Sequence, residues 1–188
     1  MSLNVVIAAL QAFFVFTSVT VEREYCHAPL DPTSSTPLVK ETYDFCINYN
    51  PLFLERPEWL VKATCVHAYG SWILYSLVFY MAVTDGWTTR SDVLRQVVLP
   101  TLLGCKVYAI LFYHYMEFTS HAPPPNLVAY FGAEGTYLVS IGLVFYKLVS
   151  AGFVYSTTST GMVTLDIEYV YIVVCRLFYS LRCSMCSI

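Results

Sequence analysis

The sequence predicts an all-α, polytopic membrane protein, a four-helix transmembrane bundle with room for a fifth helix at the C-terminal end. Three observations carry this. Hydrophobic residues make up 57% of the 188 and charged residues only 12%, where soluble domains carry roughly 25% charge. Mean hydropathy is +0.58. The apolar residues also gather into runs of roughly 20, the length that crosses a hydrocarbon core.

The first run covers residues 3–21. It has neither the basic leader nor the small-residue cleavage site of a signal peptide, so it reads as a retained span. The second covers 60–83. The third covers 93–116 and holds Pro100, which a membrane helix tolerates as a kink. The fourth covers 127–155. The link 22–58 is long and acidic, with several prolines and Ser-Thr turns. The link 84–92 is short, and Pro123-Pro124-Pro125 interrupts the next one. Short links make the second, third and fourth spans antiparallel neighbours.

Residues 1–155 therefore form one bundle domain, and 156–188 form a tail. The tail holds a weak apolar stretch at 161–181, bounded within by Asp166, Glu168 and Arg176. A fifth span, an interfacial helix and an unordered tail all remain open.

Net charge is −3, and there is no basic block or glycine-rich phosphate loop. Both facts speak against a nucleic-acid partner. Arg90 and Arg95 lie at the short second link, whereas Arg23, Lys40 and Arg56 belong to the long acidic first one. Short loops dominate the positive-inside rule, which puts the second link and both termini in the cytosol.

Seven cysteines are present. Cys65 and Cys105 sit in apolar runs and read as inert packing. Cys26 and Cys46 share the polar first link and could pair in an oxidising lumen. The terminal Cys183-Ser-Met-Cys186 is open to palmitoylation or redox chemistry, and no role at all is favoured over either.

Ionisable residues inside a membrane are expensive, so each one is a functional candidate. Topology puts Glu22, His67, Glu117 and Glu134 at span ends on one side of the membrane. His67 and Glu134 lie about 10 Å into their spans. Lys106 lies deeper, about 16 Å from Glu117 along its helix, and Glu134 is its expected partner. Taken singly, these residues read as polar glue between helices. Taken as four on one side, they read as the mouth of a cavity. His114, Glu117 and His121 have passable metal-ligand spacing, but Pro123 follows at once and the chain has only four histidines. No metal site and no cofactor are expected. Lys106, Tyr108 and Leu111 fit the loose inverse cholesterol pattern.

Three stretches together resemble the EXPERA-domain family, which includes a sterol double-bond isomerase and the sigma-2 receptor. The first is Asn50-Pro51-Leu52 followed by Glu55-Arg56-Pro57-Glu58-Trp59, at the junction into the second span. The second runs from Lys106 and Tyr108 through Tyr113 to Glu117. The third runs from Asn126 through Glu134 to Tyr137. The resemblance covers residues 1–155. It sets Ser18 and Glu22 on the family's His-x-x-x-Glu, so the acid is kept and the histidine is not. It sets His67 on the second-helix acid, Asn50 on the loop acid, and Glu134 with Tyr137 on the last-helix pair. Asn50, Trp59, Lys106 and Glu117 are the framework.

The resemblance implies a sterol- or lipid-binding protein of the endoplasmic reticulum membrane, with a homodimer compatible. Glu22 would meet a hydroxyl or ammonium group, His67 and Glu134 would orient it, and Tyr108 and Tyr137 would wall it. The alternative is a sterol isomerase in which His67 works with Glu22 or Glu134. A packing or trafficking role without ligand is the third reading.

Overall fold

The computed structural model describes residues 2–87 and 93–158, with side chains as far as Ala151. Among the described residues six helices follow in order. α1 is Leu3–His27, α2 is Val39–Tyr49 and α3 is Pro51–Glu55. α4 is Glu58–Val83, α5 is Leu94–Phe118 and α6 is Leu127–Thr158. Four of these, α1, α4, α5 and α6 over Leu127–Ala151, are long and apolar enough to cross a bilayer. Helices are dictated here, because hydrocarbon offers no partner for a free peptide group.

Local chemistry sets the boundaries. Pro51 opens α3 at a position where its missing N–H is harmless. Asn126 opens α6, its Oδ1 accepting from the amides of Val128 and Ala129, both at 3.1 Å. Two spans carry a π turn. One covers Ser18–Glu22, a stretch with Val19, Thr20 and Val21 in succession, where β-branched side chains crowd an α-helix. The other covers Leu94–Val98, just before Pro100. Proline cannot donate to the carbonyl four residues back and clashes with it; the wider turn makes room.

The four spans close into a ring. α1 packs chiefly against α4 and also touches α6, while α5 joins α6 and α4. Only 17% to 33% of each apolar stretch is buried inside the bundle, so the rest must face lipid. Val66 is 75% exposed and Val128 86%, which is reasonable only against acyl chains. The protein is an integral membrane protein. Its core is divided. One cluster joins Ile7, Val78, Met81, Leu99 and Val144. The other joins Val21, Tyr25, Val39, Leu52 and Leu60 beside the first link.

That link is more ordered than its prolines and turn residues suggest, since α2 and α3 occupy much of it. It is pinned to α1 by Tyr25, whose hydroxyl donates to the Phe53 carbonyl at 2.9 Å and whose ring stacks on Phe53 at 4.0 Å. Arg56 donates to the Tyr25 carbonyl at 2.7 Å and lies over the same ring. These contacts hold Arg56 at φ +50°, a left-handed conformation that costs a side-chain-bearing residue about 1–2 kcal/mol.

Two sequence expectations are corrected. Cys26 pairs with Cys65, not with Cys46, their Cα atoms 5.3 Å apart. Cys65 is thus no inert packing residue. It lies under two helical turns into α4, beside the end of α1, whereas Cys46 is turned into the core as a free thiol. Arg95 is buried, donating to the Trp87 carbonyl at 3.0 Å, so it is not an exposed link charge. Arg90, the weak fifth span, the terminal cysteines and the rest of the tail lie outside the described residues. The 155/156 boundary falls within α6, which continues to Thr158.

A closed loop spanning 39 residues stabilises by about 4 kcal/mol on chain-entropy grounds. Burial, and after it the carboxylates of Glu134 and Glu117, push the Cys46 thiol well above the usual range. Maleimide is therefore expected to leave native Cys46 unlabelled near neutral pH. In denatured, unreduced protein, Cys26 and Cys65 should stay blocked until reductant is added. Cys26→Ser should free Cys65, and Cys46→Ser should leave the bridge intact. A mass map of a Cys26–Cys46 peptide would overturn the pairing.

Candidate functional site

Between the two apolar clusters runs a polar layer. The π turn of α1 brings Ser18 and Glu22 to the inner face, where Ser18 is fully buried and Glu22 nearly so. Ser18 Oγ donates to Glu22 Oε2 at 3.1 Å. His67 of α4 meets the same oxygen through Nδ1 at 2.7 Å. A carboxylate only accepts, so this nitrogen carries a proton. Nε2 is met by the ammonium of Lys106, which can only donate and so takes the one lone pair of a neutral ring; the Tyr75 hydroxyl lies 2.7 Å from the same nitrogen. The other Glu22 oxygen accepts from the Tyr137 hydroxyl at 3.3 Å.

The result is a row of carboxylate, neutral imidazole and ammonium drawn from three helices. Measured from the end of the bundle next to the first link, Glu22, His67, Tyr137 and Lys106 stand at heights of about 8, 14, 15 and 18 Å. Every member is well inside the span. The row is neutral as a whole, which is what low dielectric requires of buried charge.

Aromatic faces complete it. The Lys106 nitrogen lies 5.0 Å from the ring centroids of both Tyr75 and Tyr137, within cation–π range. Tyr137 stacks on Phe14 at 4.4 Å. Beside Lys106 is a small cavity of about 10 Å³, lined by Gln11, Phe14, Tyr75, Tyr137 and Ser140 together with apolar side chains of α4, α5 and α6. Gln11 Nε2 donates to Ser140 Oγ at 2.6 Å across it.

The four residues expected at one mouth are divided. Glu22 and His67 form the row. Glu117 is fully buried in a second polar group beside Asn50 and Tyr113, with Asn50 Nδ2 donating to the Tyr113 hydroxyl at 3.1 Å. Glu134 is within electrostatic reach of Glu22, His67 and Glu117, but it is not the partner of Lys106, whose ammonium goes to His67. Tyr108 stacks on Phe112, because a position two residues from Lys106 on a helix faces another way. Trp59 packs beside the cluster around Tyr25. The His114, Glu117 and His121 set also separates. His114 meets the Tyr130 hydroxyl at 2.9 Å, and His121 meets Glu55 at 2.6 Å in an exposed pair.

Tyr75, Gln11, Ser140 and Phe14 were not singled out by sequence. Gln11 had a signal, since it is the one amide in the middle of the first apolar run. Tyr75 had none, being one of sixteen tyrosines.

Comparison with protein-family models, with curated proteins and with solved structures finds no match to this chain.

Removing one charge of a buried, hydrogen-bonded set leaves the other uncompensated, at about 3–5 kcal/mol. Glu22→Gln and Lys106→Met are each expected to lower the melting temperature in detergent. The double variant should recover most of the loss, and strictly additive losses would show that the two charges are not coupled.

Proposed function

We propose that this membrane protein binds a neutral, hydroxyl-bearing sterol or similar lipid within its bundle. The observation that carries this is the hydrogen-bonded row of Glu22, His67 and Lys106, with a cavity at its Lys106 end. A hydroxyl both donates and accepts, so it can accept from Lys106 while donating to Glu22 or His67. Apolar and aromatic walls with a few convergent polar groups are the usual make-up of a ligand site.

The cavity has room for about one water, while a sterol-sized ligand needs several hundred Å³. Binding in this reading parts the Phe14–Tyr137 stack and swings the Lys106 arm. The likeness of residues 50–59, 106–117 and 126–137 to EXPERA-domain proteins supports a sterol as the ligand. The endoplasmic reticulum is the matching membrane, and its lumen is oxidising enough for Cys26–Cys65.

The test uses a photoreactive cholesterol in nanodiscs. Label is expected on peptides lining the polar layer. Losing a hydrogen bond to a charged group costs about 1.5–3 kcal/mol, so Glu22→Gln and His67→Ala should lower labelling at least tenfold. Glu134→Gln should change it less than twofold. Unchanged labelling in Glu22→Gln would take the polar layer out of the binding site.

One observation favours a second reading, a sterol double-bond isomerase: His67 stands between a carboxylate and an ammonium, a placement suited to moving protons. Against it, Lys106 covers the Tyr75 and Tyr137 faces that a carbocation intermediate would need. A yeast strain lacking its own sterol isomerase is expected to remain unrescued by this protein at normal membrane levels. Rescue that depends on His67 would establish the isomerase instead.

A further inference from the structure

The polar layer contains the parts of a receptor for an organic cation. Such a receptor needs a carboxylate, a nearby neutral acceptor and aromatic faces, shielded from water. Glu22 is the carboxylate, His67 Nε2 is the acceptor, and Tyr75 and Tyr137 present their faces. The site is not waiting for a cation, because Lys106 supplies one from inside the chain. Lys106 is 6% exposed, and its ammonium sits on both tyrosine rings at the same 5.0 Å.

We propose that Lys106 acts as a tethered ligand of this cation box and sets its specificity, excluding cationic amphiphiles and leaving neutral hydroxylated ones as the class admitted. An incoming ammonium would find its aromatic faces covered and a like charge in their place. Two like charges at about 4 Å repel strongly where the effective dielectric constant is near 20. A hydroxyl meets no such penalty and can accept from Lys106. The choice of head group rests on the lipid-binding reading above. The box itself does not, since it is built from side chains already in contact.

Lysine is joined to the backbone by a flexible tether of four methylenes, so cutting that tether should leave a site for a free amine. Lys106→Ala removes the ammonium and three methylenes, which propylamine replaces. The full chain in detergent is the sample and thermal melting is the readout. Propylamine at millimolar concentration is expected to raise the melting temperature of Lys106→Ala and to leave wild type unmoved. Propanol should do nothing to either. In Glu22→Gln/Lys106→Ala the effect of the amine should disappear. A Lys106→Ala protein that can be purified only with propylamine present counts as the same result. No response of Lys106→Ala to the amine overturns the proposal.

Where Lys106→Ala does not fold with or without amine, Lys106→Met takes its place. It is labelled with the photoreactive sterol and with the same sterol carrying a dimethylamino group instead of the hydroxyl. Wild type should prefer the hydroxyl form at least tenfold, and Lys106→Met should gain at least tenfold in amine labelling. A variant that gains nothing overturns the proposal. The two readings fail separately. Sterol labelling of wild type with no amine response in the variants removes the tethered cation and keeps the binder. An amine response without sterol labelling of wild type keeps the cation box and removes the binder.

Discussion

A lysine at mid-membrane has to be neutralised within reach of its side chain, and much of the bundle's interior is arranged around that need. Among the described residues no carboxylate contacts Lys106 directly. Its charge is balanced through His67, which passes a hydrogen bond on to Glu22. This relay requires α1, α4 and α5 to hold a fixed relative height, because a shift of one helical turn, about 5.4 Å, would break both bonds of His67. Tyr137 brings in α6 by touching Glu22 through its hydroxyl and Lys106 through its ring. One charge therefore sets the register of four helices whose apolar faces, meeting lipid on one side and each other on the other, specify register only weakly.

The same constraint explains why the core is split. An apolar cluster near the chain start and another beside the first link could have merged into one continuous seam. The polar layer separates them, and the bond between Gln11 and Ser140 extends it across the cavity. Such a layer stabilises little relative to well-packed apolar residues. Its cost is repaid in uniqueness of arrangement.

The span positions were legible because hydropathy integrates over some 20 residues and is insensitive to detail. Of the candidate site, Glu22, His67 and Lys106 were legible as membrane-embedded polar residues and Tyr137 through the resemblance, but their partners were not. Choosing Glu134 for Lys106 rested on charge alone. The structure uses an uncharged imidazole instead, a pairing that depends on helix rotation and tautomer, which single-sequence patterns do not encode. The π turn at Ser18–Glu22 was equally hidden. It re-aims Glu22 inward, and without it a depth estimate cannot say which way that side chain faces. Cys65 was misread for a related reason: an apolar run says that a residue is in a helix, and nothing about which other helix end it meets.

The balance of buried charge bears on why Lys106 stays where it is. Its four-carbon arm is long enough to snorkel toward an interface, so burial needs an electrostatic cause. Glu22, Glu117 and Glu134 all lie inside the spans, and Glu134 is close enough to feel both of the others. Moving Lys106 outward would leave Glu22 with dipoles alone. The tyrosine faces lower the ammonium's energy further at the one place where it also meets His67. A side chain held by three independent attractions is a poor candidate for accidental burial. It is better understood as a fixed member of the polar layer, held there by His67 and the two tyrosine faces.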